Sequence, residues 1–267
     1  MSRAGWMRRL LGMLLLGVIA PAMAVAAKGD GPRVLDLSIA DMGSQRVLYV
    51  SPPHPRATLV MLPGGAGDIG IAPDGSLAHA HNFLVRSRDL WVERGFAVLI
   101  PDAVDGIKNL RGLRSTPKYA AVVAALVETA RTQAARPVVL MGTSQGSIAA
   151  VNGAAHLREG EIAAVVLTES VSRLGGSHET VFSAHPDRIN VPVLIVANSN
   201  DRCKVAPPQN ATKIAAAMTG APLVKVLAVS GGVMRGTNAC GSLTPHGYDG
   251  IESHVVDAVA AWLRARL

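Results

Sequence analysis

Apolar and polar positions alternate in two ways along the chain. Short continuous apolar runs have the length and composition of buried strands, and longer stretches with a helical period separate them. The runs predict strands at residues 58–62, 96–100, 138–141, 163–167, 193–197 and 223–229. Two further runs, at residues 34–39 and 46–51, predict an antiparallel pair of strands that opens the domain.

The stretches with a helical period predict helices at residues 82–94, 117–134, 144–157, 207–218 and 251–266. Continuous apolar strands that alternate with helices are typical of a mostly parallel sheet with helices on both faces. We therefore expect a single α/β domain with about eight strands. The polar segment 170–190 is the candidate for a lid, and it is too short to form a large cap domain.

The first residues predict an export signal and not a part of the fold. Three arginines flank the start of an apolar run at residues 10–20, and residues 22–24 (Ala-Met-Ala) have the small-x-small form of a cleavage site. A membrane-spanning helix needs about 20 apolar residues, so cleavage is favoured over an uncleaved anchor. We expect residues 1–27 to be a signal peptide and residues 28–267 to form the domain. The protein would then be periplasmic or secreted, with no membrane attachment after cleavage.

The charge balance argues against nucleic acid as a partner. The chain has 26 Lys and Arg against 19 Asp and Glu, and three of the arginines lie in the predicted signal peptide, which has no acids. The predicted domain therefore carries 23 − 19 = +4, spread along the chain without a basic cluster. The sequence also has no metal-ligand cluster and no nucleotide-binding glycine fingerprint, so we expect no cofactor and no metal.

Candidate chemistry first appears at Gly142-Thr143-Ser144-Gln145-Gly146, between a predicted strand and a predicted helix. The spacing Gly-x-Ser-x-Gly at such a junction is typical of a nucleophile elbow, a sharp turn that exposes a serine. The flanking glycines remove side chains that would clash with the neighbouring strand and helix. The start of the helix favours negative charge that develops beside Ser144. A glycine-rich connection without chemistry is the alternative.

A serine hydroxyl needs a base to remove its proton, and His246 is the predicted base. It follows the last predicted strand and precedes the closing helix, as the chain order Ser, acid, His requires. Asp201 follows the strand at residues 193–197 and is the predicted acid that orients the histidine. Glu169, at the end of the preceding strand, is the second candidate. Asp102 comes before the serine and breaks the order.

The backbone donors for an oxyanion are predicted at two places. One N–H group belongs to the residue after the nucleophile, Gln145, and the other to the loop after the first parallel strand. That loop reads Pro-Gly-Gly-Ala-Gly, and either Gly65 or Ala66 could donate. Ile69, Phe182 and Tyr248 are candidates for the wall of the substrate pocket.

These motifs together resemble the α/β-hydrolase superfamily. The resemblance rests on the Pro63-Gly64-Gly65 turn, the motif around Ser144, Asp201 after a strand and the late Pro-His-Gly-Tyr at His246, and it spans almost all of the predicted domain. It implies a single α/β-hydrolase domain without a large cap, similar to the lidless dienelactone-hydrolase-like members. The chain departs from the dienelactone hydrolases in having serine where they have a cysteine nucleophile, and it lacks the His-Gly that precedes the glycines in lipase-like esterases.

The two cysteines, Cys203 and Cys240, both lie in the predicted domain. An even number in an exported chain suggests one disulfide, and two free buried thiols are the alternative. The bond would join the loop of the candidate acid to the loop of the candidate base. Secreted polyester hydrolases resemble this chain in having a disulfide between the same two loops.

The sequence thus predicts an exported serine hydrolase that cleaves a carboxylic ester of a small molecule through Ser144, His246 and Asp201. Acyl transfer, amide cleavage or perhydrolysis at the same site are alternatives, because a fold does not determine the reaction. A non-catalytic exported binding protein of the same fold is a further alternative.

Overall fold

The structure is a computed structural model that describes residue 1 and residues 31–104 and 107–267. The predicted signal peptide therefore lies outside the described residues, apart from its first residue, and its cleavage remains a prediction. Across the described ranges, no helix has the length and apolar character that crossing a membrane requires.

Eight strands form one sheet, as the sequence predicts. They are β1 (Arg33–Ile39), β2 (Gly43–Val50), β3 (Thr58–Leu62), β4 (Ala97–Val104), β5 (Val138–Thr143), β6 (Ala164–Thr168), β7 (Val193–Asn198) and β8 (Val224–Val229). Their order across the sheet is β1-β2-β4-β3-β5-β6-β7-β8. Strands β3 to β8 are parallel, while β1 pairs antiparallel with β2 and β2 pairs antiparallel with β4. The sheet is open, and its central strand β5 leads into the motif around Ser144.

Helices cover both faces of the sheet and bury its apolar side chains. The described helices are α1 (Phe83–Arg86), α2 (Arg88–Glu93), α3 (Pro117–Gln133), α4 (Gln145–His156), α5 (Ala211–Ala216) and α6 (Glu252–Arg264). Helices α3, α4 and α5 pack in one apolar core, and α1, α2 and α6 pack in the other. The central strands β3 and β5 are buried along their whole length because both faces are covered.

Three predicted elements differ from the structure. The predicted helix at residues 82–94 is divided at Ser87, whose ψ of 2° takes it out of helical geometry between α1 and α2. Ser87 is buried, and its hydroxyl accepts a hydrogen bond from the indole of Trp91. The predicted helix at 207–218 is a short 3₁₀ turn followed by α5. Strand β4 continues past Pro101 because β2 pairs with it there, Val47 opposite Pro101.

The candidate lid is a compact segment without a cap domain. Residues 170–190 contain two 3₁₀ turns, Val181–Ala184 and Pro186–Arg188, of which the first begins with a capping box at Thr180. Both turns pack against α4, and Val181 and Ala184 are buried in the core on that side. The segment therefore covers helix α4 from one side.

Candidate active site

Ser144 occupies the sharp turn between β5 and α4. Its φ of 51° and ψ of −120° lie outside the regions that residues with a side chain prefer, so the turn holds it in a strained conformation. A Cβ atom at Gly146 would lie 2.0 Å from the Leu62 carbonyl oxygen, and one at Gly142 would lie 2.3 Å from the Gly146 carbonyl oxygen. Only glycine fits at both positions, because a side chain would clash with the neighbouring strand and helix, as the Gly-x-Ser-x-Gly motif predicts.

The structure brings Ser144, His246 and Asp201 together. His246 Nε2 lies 2.9 Å from Ser144 Oγ, and His246 Nδ1 lies 2.7 Å from Asp201 Oδ2. A carboxylate can only accept, so Nδ1 carries the proton and Nε2 is free to accept the proton of the serine. His246 and Asp201 are 4% and 7% exposed, so their interaction is shielded from water. The arrangement can deprotonate the serine hydroxyl when it attacks a carbonyl carbon.

Local backbone bonds fix the two partners of the serine. Asp201 Oδ1 accepts a hydrogen bond from the Cys203 N–H at 2.7 Å, which leaves Oδ2 to the histidine. His246 lies in a 3₁₀ turn, Pro245–Gly247. The Thr244 hydroxyl caps the start of this turn by accepting a hydrogen bond from the His246 N–H. A Cβ atom at Gly247 would lie 2.0 Å from the Ser242 carbonyl oxygen, so the turn is tightly packed.

The predicted disulfide between Cys203 and Cys240 is present and joins the loop of Asp201 to the loop of His246. The two cysteines are 37 residues apart in sequence. We expect replacement of both by alanine to lower the free energy of unfolding by about 4 kcal/mol, because the unfolded chain regains the entropy of the open loop. Urea unfolding of the double variant beside the oxidised wild type measures this. A difference below about 1 kcal/mol would show that the bond contributes little to the stability of the folded state.

Glu169, the second candidate acid, does not bond the histidine but lies beside Asp201. Its carboxyl group is buried, and one oxygen accepts a hydrogen bond from the Asn198 N–H at 2.7 Å. Among the described residues, the other oxygen has no partner at hydrogen-bond geometry, although the Tyr248 hydroxyl lies beside the carboxyl group. Burial raises the pKa of the Glu169 carboxyl well above its usual value, and the adjacent Asp201 carboxyl raises it further. Candidate ligand atoms of Glu169, Asp201 and His246 lie within 4.8 Å of one another. Both nitrogens of His246 are already bonded, so this cluster is part of the serine site and is not a separate metal centre.

The candidate oxyanion donors lie beside Ser144. A Cβ atom at Gly64 would lie 3.0 Å from the Ser144 Cβ, so the loop after β3 passes directly over the serine. Gly65 and Ala66, next along that loop, line the same pocket as Ser144. In the described part of the chain, no acceptor takes a hydrogen bond from the N–H groups of Gly65, Ala66 or Gln145. These groups are therefore free to bind an oxyanion, and both members of the predicted pair in the loop remain candidates.

Asp102 supports the site in a way that the sequence analysis missed. Its carboxylate accepts hydrogen bonds from the backbone N–H groups of Ile69, Gly70 and Ile71 at 2.9, 3.1 and 2.7 Å. These three residues continue the loop that carries Gly65. The Asp102 carboxylate, near the end of β4, therefore holds the loop after β3 in place. The sequence alone does not indicate which backbone amides this carboxylate reaches.

Arg86 is the second such residue. Its guanidinium pairs with Glu252 at 2.8 Å and donates to the backbone carbonyl oxygens of His81, Ser242 and Gly247. It thereby connects α1 with α6 and with the loop of the candidate base. Nothing in the local sequence around an arginine on a helix indicates these partners.

An open pocket of about 430 Å³ surrounds Ser144. Small and polar residues form most of its wall, with Ile69 and Phe83 as the large apolar side chains, and three histidines, His79, His81 and His246, face it. Of the predicted wall residues, Ile69 lines the pocket and the other two do not. Tyr248 is fully buried with its ring against Phe83, and Phe182 lies in the segment that packs against α4.

Comparisons with known proteins support the fold. No family model and no curated protein matches the chain. Solved structures that resemble it include a cold-adapted esterase from an Arctic intertidal metagenomic library, with 16% identity, a TM-score of 0.60, and coverage of 92% of this chain and 100% of that one. The dienelactone hydrolase of Anabaena variabilis has 15% identity and a TM-score of 0.61, over 90% of this chain and 99% of that one. An esterase of Pyrococcus furiosus has 11% identity and a TM-score of 0.62, over 88% and 93%.

Proposed function

We propose that this chain, which has the α/β-hydrolase fold, is a serine hydrolase that cleaves a carboxylic ester of a small molecule. The observation that carries the proposal is the pair of contacts at His246, 2.9 Å to the Ser144 hydroxyl and 2.7 Å to the Asp201 carboxylate. The names of the similar structures, two esterases and a dienelactone hydrolase, support ester hydrolysis as the reaction.

In the proposed mechanism, Ser144 Oγ attacks the ester carbonyl carbon while its proton passes to His246 Nε2. The carbonyl oxygen gains the negative charge and accepts hydrogen bonds from the Gln145 N–H and from Gly65 or Ala66. Asp201 stabilises the imidazolium that forms. The bond between carbon and the alkoxy oxygen then breaks, and the Nε2 proton leaves with the alcohol.

The acyl group is then bound to Ser144 as an ester. A water molecule gives a proton to His246 Nε2 and attacks the acyl carbon, which forms a second tetrahedral intermediate. The bond between the acyl carbon and Ser144 Oγ then breaks, His246 Nε2 returns the proton to Oγ, and the carboxylic acid is released. The open pocket gives water direct access to this acyl group. No step requires a bound cofactor.

We also propose that the protein works outside the cytoplasm. The basic and apolar N-terminal sequence supports export, and so does the disulfide, because disulfides persist mainly in oxidising compartments.

The test is intact-mass spectrometry after treatment with a fluorophosphonate, followed by rate measurements on p-nitrophenyl esters and matched anilides. We expect one phosphonate adduct per chain and turnover of short-chain esters well above that of anilides. An unlabelled, folded and oxidised protein would support the non-catalytic binding protein instead. The mass of the untreated protein after expression with its own N-terminus also shows whether residues 1–27 have been removed.

A further inference from the structure

A buried carboxyl group next to the three catalytic residues has no role in the mechanism above. Glu169 is 1% exposed and directly follows β6, whose Thr168 carbonyl accepts the Ser144 N–H. Its φ of 45° is in the left-handed region, which residues other than glycine, asparagine and aspartate seldom adopt. The fold thus holds this residue in an unfavourable backbone conformation with its carboxyl group among the catalytic side chains.

Two ionised carboxylates cannot stay side by side in such a place without a compensating cation. The groups that face Glu169 are Asp201 from the loop after β7, His246 and Tyr248 from the turn before α6, and the Asn198 N–H of β7. In the described part of the chain, no lysine or arginine lies within ion-pair distance of Glu169 or Asp201. His246 is neutral when its Nε2 is free to accept the proton of Ser144, so one carboxyl group of the pair then holds a proton.

The hydrogen bonds indicate which of the two groups is ionised. Asp201 accepts from the Cys203 N–H and from His246 Nδ1, both at 2.7 Å, and these bonds stabilise the negative charge. Glu169 accepts a hydrogen bond from the Asn198 N–H, and in the described part of the chain its other oxygen is buried without a partner at hydrogen-bond geometry. The Tyr248 hydroxyl lies beside this carboxyl group, but it donates to the Val196 carbonyl oxygen at 3.2 Å. A proton on this second Glu169 oxygen turns an unpaired acceptor into a donor.

We propose that Glu169 is a neutral carboxylic acid that donates a hydrogen bond to the Asp201 carboxylate, so that a single negative charge is shared beneath His246. Glu169 is then a positioning residue that acts through Asp201. This inference rests on the proposed function, because it assigns the charge in the same site. Burial raises the pKa of Glu169 and agrees with the neutral form.

The first test is an infrared difference spectrum of the wild type against Glu169→Gln at pH 8. We expect the carbonyl band of a protonated carboxylic acid in the wild type and its loss in the variant. Glu128→Gln, at an exposed position of α3, is the matched control and keeps the band. Absence of the band from the wild type, or its survival in Glu169→Gln, overturns the proposal. Because this measurement needs no substrate, a failure of the proposed esterase activity leaves it interpretable.

The second test uses the pH dependence of kcat/KM. Glutamine keeps an N–H donor next to Asp201, whereas alanine does not. We therefore expect Glu169→Ala to lower kcat about tenfold with little change in KM. Glu169→Gln should recover part of that loss. The acid limb of the pH profile of kcat/KM should lie at the same pH in Glu169→Gln as in the wild type, because the replacement removes no charge. A shift of that limb to lower pH would mean that Glu169 is ionised, and equal kcat losses in the two variants would exclude the donor role.

A third readout is stability. The folded protein keeps the Glu169 proton at pH values where the unfolded chain has lost it, so stability falls as pH rises above the usual range of a glutamate carboxyl. Glu169→Gln removes this part of the pH dependence. In urea unfolding, the variant should therefore gain stability relative to the wild type between pH 5 and pH 8. A constant difference over that range would contradict the neutral form of Glu169.

Discussion

Replacing Ser144 with alanine is expected to lower kcat for ester hydrolysis by about 10⁶-fold and to abolish the phosphonate adduct. The alanine has no nucleophile and His246 Nε2 loses its partner, while the remaining groups can still bind substrate. KM should therefore change much less than kcat.

The fold should tolerate this replacement, because among the described residues His246 is the one hydrogen-bond partner of the Ser144 hydroxyl. Circular dichroism and the unfolding midpoint check that expectation. Ser38→Ala, at an exposed position of the edge strand β1, is the control and should keep wild-type kcat. If the Ser144 variant retained more than about 1% of wild-type kcat, the serine would not be the nucleophile, since loss of a nucleophile costs orders of magnitude more.

The second large effect is expected for Asp201→Asn, with kcat about 10⁴-fold lower. The amide nitrogen of asparagine can donate to His246 Nδ1, which favours the tautomer with the proton on Nε2. That nitrogen can then no longer accept the proton of Ser144, although the geometry of the site is kept.

Glu169→Gln is the matched comparison, because both replacements turn a buried carboxyl group into an amide. We expect kcat to fall far more in Asp201→Asn than in Glu169→Gln, in steady-state assays on the same p-nitrophenyl ester. The reverse order would make Glu169 the acid of the site and Asp201 the supporting group.

Much of the site could be predicted because its chemistry is tied to chain order. Parallel strands bring their carboxyl ends to one edge, so a serine after β5, an acid after β7 and a histidine after β8 must meet there. The strands themselves were recognisable because residues buried on both faces form continuous apolar runs. The same reasoning placed Gly65 and Ala66 beside Ser144, where they are found.

Other features depended on contacts between residues distant in sequence. The predicted helix is divided at Ser87, whose buried hydroxyl accepts a hydrogen bond from Trp91. The hydrophobic periodicity of the sequence does not indicate this division. Asp102 and Arg86 support the site through hydrogen bonds with the backbone of loops that are distant in sequence. The sequence offers Glu169 and Asp201 as alternatives for one role, whereas the structure has them side by side.

The crowding around Gly142 and Gly146 has a consequence for any mutational scan of this protein. A Cβ atom at either position would overlap backbone atoms, which cannot rotate away as a side chain can. We therefore expect every substitution there to lower activity as strongly as replacement of Ser144. A library screened for new substrates gains nothing from varying these two glycines. Diversity is better directed to His79, His81 and Ser242, which face the pocket, although the Ser242 carbonyl also holds Arg86. Positions that do not tolerate substitution in this protein therefore include those needed for the packing of the turn as well as those needed for its chemistry.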